Sequence, residues 1–151
     1  MLKAENLEVI IDNKKIVNDV SFEVDEHDIF MVIGPNGAGK TTLIKAMMGI
    51  VPHTGQVFLS NTNIRSLKPK ILAQKIGVLT QKHQPQFAHT VYEVVSLGRY
   101  AYKRGLFGDL TNEDKDKIQE AISLTGIQDL VGQSVLTLSG GELQRVFLAQ
   151  L

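Results

Sequence analysis

The sequence predicts an α/β fold: antiparallel strands at the start, a buried strand that runs into a glycine-rich loop and a helix, and a helical second half. Three observations carry that expectation. Residues 2–24 alternate apolar and polar side chains on either side of an Asp-Asn turn signal. Residues 29–33, Ile-Phe-Met-Val-Ile, are apolar throughout and stop at Gly34, the pattern of a strand covered on both faces. From Thr90 onward, hydroxyl residues followed three places later by Asp or Glu precede apolar residues at helical spacing.

The elements follow in order. Leu2–Ile11 reads as a strand with Leu7, Val9 and Ile11 on one face, turned at Asp12-Asn13. Val20, Phe22 and Val24 alternate with Ser21, Glu23 and Asp25, which predicts the antiparallel partner. Ile29–Ile33 is the buried strand. Beyond the glycine-rich loop, Leu43, Ile44 and Met47 lie at helical spacing and Gly49 stops the helix. Val57–Leu59 predicts a short strand closed by Ser60-Asn61. Ser66 is expected to cap a helix over residues 67–75, with Pro69 in its first turns. Residues 76–80 predict a brief strand that ends at Gln81. Thr90-Val-Tyr-Glu93 and Thr111-Asn-Glu-Asp114 open two helices, the second with Ile118, Ala121, Ile122 and Thr125 on one face and Gly126 at its end. Between them, residues 99–110 form a loop rich in Gly, Tyr and basic residues. The organisation is thus a β-rich first part, residues 1–81, and a helical second part, residues 82–151.

Composition narrows the chemistry. The chain has 151 residues, a one-domain length, and 43% of them are hydrophobic, enough for a core. It contains no cysteine, which excludes disulfides and thiolate metal sites. No apolar run approaches the length of a membrane span and no secretory pattern opens the chain. Net charge is zero, but eight acidic residues fall before residue 29 and none lies between Ile29 and Tyr92. That span holds Lys40, Lys45, Arg65, Lys68, Lys70, Lys75 and Lys82. It suits a polyanionic ligand or is simply a solvated basic surface. Lys68, Lys70 and Lys75 read as solvated, and no nucleic-acid partner is expected. His27, His53, His83 and His89 show no metal-like spacing. Met47 and Met48 read as core filling.

Two glycine-bearing stretches carry the functional signal. Gly34-Pro35-Asn36-Gly37-Ala38-Gly39-Lys40-Thr41-Thr42 fits G-x-x-x-x-G-K-[ST], between a predicted buried strand and an amphipathic helix. Glycines let successive N–H groups turn inward toward phosphate oxygens, and the helix starting near Lys40 adds the positive end of its dipole. Lys40 reaches the β- and γ-phosphates, Thr41 offers a hydroxyl to Mg²⁺, and Thr42 lies by the α- and β-phosphates. This predicts a nucleotide triphosphate site with Mg²⁺ in a P-loop NTPase core, and leaves kinase, GTPase and transport motor open. The second stretch is Ser139-Gly140-Gly141-Glu142. It is a capping box, followed by Leu143, Val146, Phe147 and Leu151 as a core-facing stripe. Two adjacent glycines are a costly way to begin a helix, and they leave bare N–H groups beside the dipole's positive end. A well-started helix and an anion site are both compatible with them.

Taken together, these stretches resemble the ATP-binding subunit of ABC transporters. Gly34 to Thr42 resembles that family's Walker A, Leu138-Ser-Gly-Gly-Glu-Leu-Gln144 its signature motif, and Gln81 its Q-loop glutamine. Residues 90–100 and 104–108 resemble importers of iron-siderophore, haem or cobalamin. The resemblance implies a head-to-tail dimer with a second ATP-binding subunit. Each ATP would lie between one copy's Walker A and the other copy's Ser139, Gly140 and Gly141, with Glu142 in the same turn. Gln81 would approach Mg²⁺ and the attacking water as the catalytic group. Transmembrane permease subunits would dock near residues 81–100 and a substrate-binding protein would act indirectly. The subunit would be cytoplasmic and peripheral on the inner face of the cell membrane, coupling ATP hydrolysis to uptake of a metal chelate.

Three departures from the family pattern stand out. Ile11 occupies the place of the usual aromatic residue under adenine. Glu142 stands where Gln is usual. The sequence reaches Leu151 before the place where the family carries its Walker B aspartate, catalytic glutamate and switch histidine. The chain therefore reads as a C-terminally incomplete piece, expected to bind ATP weakly and to hydrolyse it negligibly by itself. Alternatives are a non-transport ABC ATPase acting in regulation or assembly, and a nucleotide-binding module without catalysis.

Overall fold

The computed structural model describes residues 1–80, 87–103 and 109–151. They form two compact units, Met1–Leu72 and Ala73–Leu151.

The first unit is a four-stranded antiparallel sheet with one principal helix. Its strands are β1 (Leu2–Ile11), β2 (Lys14–Val24), β3 (Thr54–Leu59) and β4 (Thr62–Asn63), in the order β2-β1-β3-β4. Both hairpins turn on two residues in the left-handed region: Asp12 and Asn13 at φ 48° and 60°, and Ser60 and Asn61 at φ 46° and 63°. Asn and Asp tolerate that region and its twist matches the strands, so the Asp-Asn and Ser-Asn signals close where the sequence predicts.

A row of irregularities crosses the sheet. Asn6 and Asp19 also have positive φ, at 48° and 49°, and the register of β1 against β2 shifts between Ala4 and Leu7. The Asn6 side-chain amide donates to Asp19 Oδ1 at 2.8 Å, and the Asn6 N–H donates to Ser21 Oγ at 2.8 Å. On the other side Gly55 has φ 77°, and a Cβ there would lie 2.2 Å from the Asn6 carbonyl oxygen. The bulge lets Ala4 and Leu7, an odd number of places apart, both point into the core with Val9. A further register shift after Val9 leaves Ile11, expected on the buried face, 43% exposed.

Helix α1 (Lys40–Met47) lays Leu43 and Ala46 onto Leu7, Val9, Val17, Val57 and Ile64. Gly49 at φ 67° ends it as expected. The expected Ser66-capped helix is instead a 3₁₀ turn over Ile64–Ser66 and a short α2 (Pro69–Ala73). Asn63 caps the turn by accepting from the Arg65 N–H at 2.9 Å, while the Ser66 hydroxyl donates back to the Asn63 carbonyl at 2.7 Å. Leu67 is extended, so the helix cannot begin before Lys68 and Pro69.

Residues 29–33 overturn the clearest strand expectation. They form no strand, and Ile29 and Ile33 are 94% and 83% exposed rather than buried. A strand is held by the backbone groups of its neighbours, and no described segment pairs with this one. Only Val32 packs on the core, while Phe30 stacks on Phe22 with centroids 4.7 Å apart. Residues 76–80 likewise form no strand, for the same reason.

The second unit packs α3 (Val91–Leu97), α4 (Asn112–Leu124) and α5 (Gly140–Ala149) around Val94, Val95, Ile118, Ile122, Ile127, Val135 and Val146. All three helices open with complete capping boxes: Thr90 with Glu93, Thr111 with Asp114, and Ser139 with Glu142. Gly126, at φ 64°, ends α4 as expected. Gly98 lies so close to α5 that a Cβ would meet the Gln150 carbonyl oxygen at 2.0 Å. Among the described residues no helix is long and apolar enough to cross a membrane.

Candidate functional site

The Gly34–Thr42 loop lies wholly in the first unit and leads directly into α1. Gly37 and Gly39 have φ 82° and 89°, conformations that L side chains rarely adopt. Gly39 is also tightly enclosed: a Cβ would stand 2.6 Å from the Ile16 carbonyl oxygen and 3.3 Å from its Cγ2. At Gly37 a Cβ would meet nothing within 4 Å. The two glycines therefore serve different ends. Gly39 seats the loop against β2, and Gly37 only turns it.

Lys40 folds back over the loop. Its ammonium donates to the Gly34 carbonyl at 2.7 Å and to the Pro35 carbonyl at 2.8 Å. Both of these partners are neutral acceptors, so neither offsets the positive group. Thr41 is exposed and Thr42 half-buried in the first turn, and Asn36 and Ala38 are exposed in the loop. No acidic residue lies in the first turn of α1. These features fit a phosphate group: glycine-turned backbone, the N-terminus of an eight-residue helix, and an ammonium on the same rim.

The Ser139 turn is complete within the second unit. Ser139 has φ −65° and ψ 159° and caps α5. Its N–H donates to Glu142 Oε2 at 2.8 Å and its hydroxyl donates to the same oxygen at 2.6 Å, while the Glu142 N–H donates to Ser139 Oγ at 3.4 Å. The Ser139 hydroxyl and N–H, with Arg145 nearby, hold the Glu142 carboxyl below its ordinary pKa. Gly140 and Gly141 are exposed, and a Cβ at either would meet nothing within 4 Å. Neither glycine is required by internal packing, so the open backbone is free for something outside the chain.

Ile11 ends β1, paired with Lys14 across the turn. Gln81 lies outside the described residues, as do Lys82, His83 and residues 104–108. Two groups went unnoticed in the sequence. Ile16 contributes a backbone carbonyl under Gly39, for which no side-chain signal exists. Arg99 pairs with buried Asp114 at 2.8 Å and covers the Tyr102 ring at 3.9 Å from its centroid. The Thr111 hydroxyl, with Arg99 and the Thr111 N–H, holds the Asp114 carboxyl down at about 2. The Thr-x-x-Asp start marks Asp114, but no local pattern marks Arg99, 15 residues earlier, as its partner.

Comparisons with known proteins converge on one family. The family model described as ABC transporter matches residues 17–151. An uncharacterized ABC transporter ATP-binding protein of Bacillus subtilis, YvrA, is 41% identical over 150 residues, which is 99% of this chain and 34% of that protein. The hemin import ATP-binding protein HmuV of Mesorhizobium japonicum is 36% identical over 151 residues, covering all of this chain and 56% of that protein. Among solved structures, CbiO1 of Clostridium perfringens, part of the ABC transporter complex CbiONQ, superposes with a TM-score of 0.82 at 26% identity over 99% of this chain and 59% of that one. The chain spans between a third and rather more than half of the length of these relatives. Its fold is accordingly the α/β fold of the P-loop NTPases. With the family model matched over most of its length, the chain belongs to the ABC transporter family, among its ATP-binding subunits.

Proposed function

We propose that this chain is the phosphate-gripping part of an ABC importer subunit that drives uptake of a metal chelate. The observation that carries the reading is the Gly34–Thr42 loop itself. Gly39 is clamped on Ile16 at positive φ, and Lys40 is poised on two carbonyls at the mouth of α1. Hemin is a metal chelate, and the likeness to a hemin import protein favours that cargo class. In this reading residues 1–81 form the nucleotide-binding core and residues 82–151 the helical subdomain.

The roles follow from the chemistry of each group. The Gly37, Ala38 and Gly39 backbone and the first turn of α1 bind the phosphates, with Gly34, Pro35 and Asn36 shaping the approach. Lys40 exchanges its carbonyl partners for the terminal phosphates, gaining charge-assisted hydrogen bonds. Thr41 and Gln81 would hold Mg²⁺, Thr42 would steady the inner phosphates, and Ile11 would pack on adenine. Ser139 and the Gly140 and Gly141 amides, with Glu142 in the turn, face the nucleotide of a second copy. Bound ATP supplies the terminal phosphate that both copies hold. Hydrolysis belongs in this proposal to the assembled subunit with its permease, at the inner face of the membrane, and is negligible for these 151 residues alone.

Equilibrium binding of a fluorescent ATP analogue to the intact protein tests the reading. Lys40→Ala is expected to weaken binding by about tenfold or more, as loss of a charge-assisted partner implies. Equal affinity of the two proteins would remove the loop from the site. Uptake of hemin by vesicles bearing the subunit with its permease tests the cargo class.

A further inference from the structure

We infer that Glu142 governs how tightly the α5 start holds phosphate, by competing for the one proton that the Ser139 hydroxyl can give. The inference rests on the reading of Ser139 as a phosphate ligand. A serine hydroxyl carries a single proton. Here that proton points to Glu142 Oε2 across 2.6 Å, and one Oγ lone pair already accepts the Glu142 N–H at 3.4 Å. In this state Ser139 Oγ offers an approaching anion only lone pairs. Terminal phosphate oxygens are acceptors, so the hydroxyl must leave Glu142 before it can bind one.

The carboxylate opposes phosphate in a second way. It places a negative charge in the same first turn as the bare Gly140 and Gly141 amides. Arg145 and the Ser139 donors keep it ionised through the neutral range, so the competitor is always present. The starts of α3 and α4 carry the same box, yet only α5 follows it with two glycines whose outer face is open. Glu142 is thus a built-in stand-in for phosphate. It closes the helix start when no nucleotide faces it and yields when one arrives.

Glutamine at this position isolates the effect. It is an ordinary capping-box residue, so the helix start survives. Its carbonyl still accepts the Ser139 N–H, but it carries no charge and binds the hydroxyl proton less strongly. Association of the intact protein, driven by a non-hydrolysable ATP analogue, is measured by sedimentation. Glu142→Gln is expected to tighten it about three- to tenfold, the size of removing one like charge at partly solvated range. Ser139→Ala is expected to weaken association and to shrink the gain from Glu142→Gln. If Ser139→Ala weakens association but Glu142→Gln leaves it equal or weaker, the competition is overturned while Ser139 remains a phosphate ligand. If Ser139→Ala has no effect, the underlying reading fails instead.

Discussion

Replacing Gly140 or Gly141 with alanine should separate folding from function. Both glycines open α5, and a methyl group at either position would meet nothing within 4 Å. Neither has the positive φ of Gly37 and Gly39. Gly→Ala inside a helix gains about 0.5–1 kcal/mol, and less in a first turn. At about 2–4 °C per kcal/mol for a protein of this size, each variant should melt at the parent's temperature or up to ~3 °C higher. Nothing inside the chain registers the change. A terminal phosphate gripped by these amides would register it, because the methyl group occupies the approach and the lost donor contacts are charge-assisted. The expected loss in nucleotide-driven association is about tenfold or more. Differential scanning calorimetry and sedimentation with a non-hydrolysable ATP analogue read the two effects on one preparation. A melting temperature lowered by several degrees would show that the space is needed internally. Unchanged association would show that the amides face no phosphate. Either result refutes the reasoning.

Other positions should behave in the opposite way. Gly39→Ala must move Ile16's carbonyl and hold alanine at φ 89°, which together cost about 2–4 kcal/mol; chemical denaturation should show that loss, and Gly37→Ala, with no clash, should lose only about 1 kcal/mol. Gly98→Ala drives a methyl group into the Gln150 carbonyl and should destabilise the helical unit by about 2 kcal/mol or more, seen as early exchange of α3 and α5 amides. The Asp114 carboxyl titrates at about 2 in the fold, below its ordinary value of 3.8. Its stabilisation is therefore complete above the unfolded value and is lost as pH falls from about 4 toward 2. Asp114→Asn should flatten that acid limb in a pH series of urea melts; an unaltered limb would mean that the ionised carboxyl gains nothing from Thr111 and Arg99.

What could be read from the sequence was what is decided locally. Asp12-Asn13 and Ser60-Asn61 turn because those residues accept φ near +50°, whatever surrounds them. Thr90, Thr111 and Ser139 start helices because each finds its acidic partner three residues on. The glycine loop was legible because its spacing encodes its shape. The misses share the opposite property. Residues 29–33 carry strand composition, but pairing is supplied by other segments, and none of the described ones reaches them. The row through Asn6, Asp19 and Gly55 depends on three strands meeting in one register, and the further shift after Val9 that turned Ile11 outward depends equally on the partner strand. The same non-locality hid the Ile16 carbonyl beneath Gly39 and the proximity of Gly98 to Gln150.

The proposed site is composite: Lys40's loop from one copy and Ser139's turn from another would close on one terminal phosphate. Mixing two disabled proteins tests that geometry most directly. Lys40→Ala alone and Ser139→Ala alone each spoil both sites of a symmetric pair, whereas a mixed pair gathers both lesions in one site and leaves the other whole. Nucleotide trapping in an equimolar mixture of the intact proteins should return to about a quarter of the parent level, since half the pairs are mixed and each has one good site. Trapping no greater than that of either variant alone would contradict the shared grip.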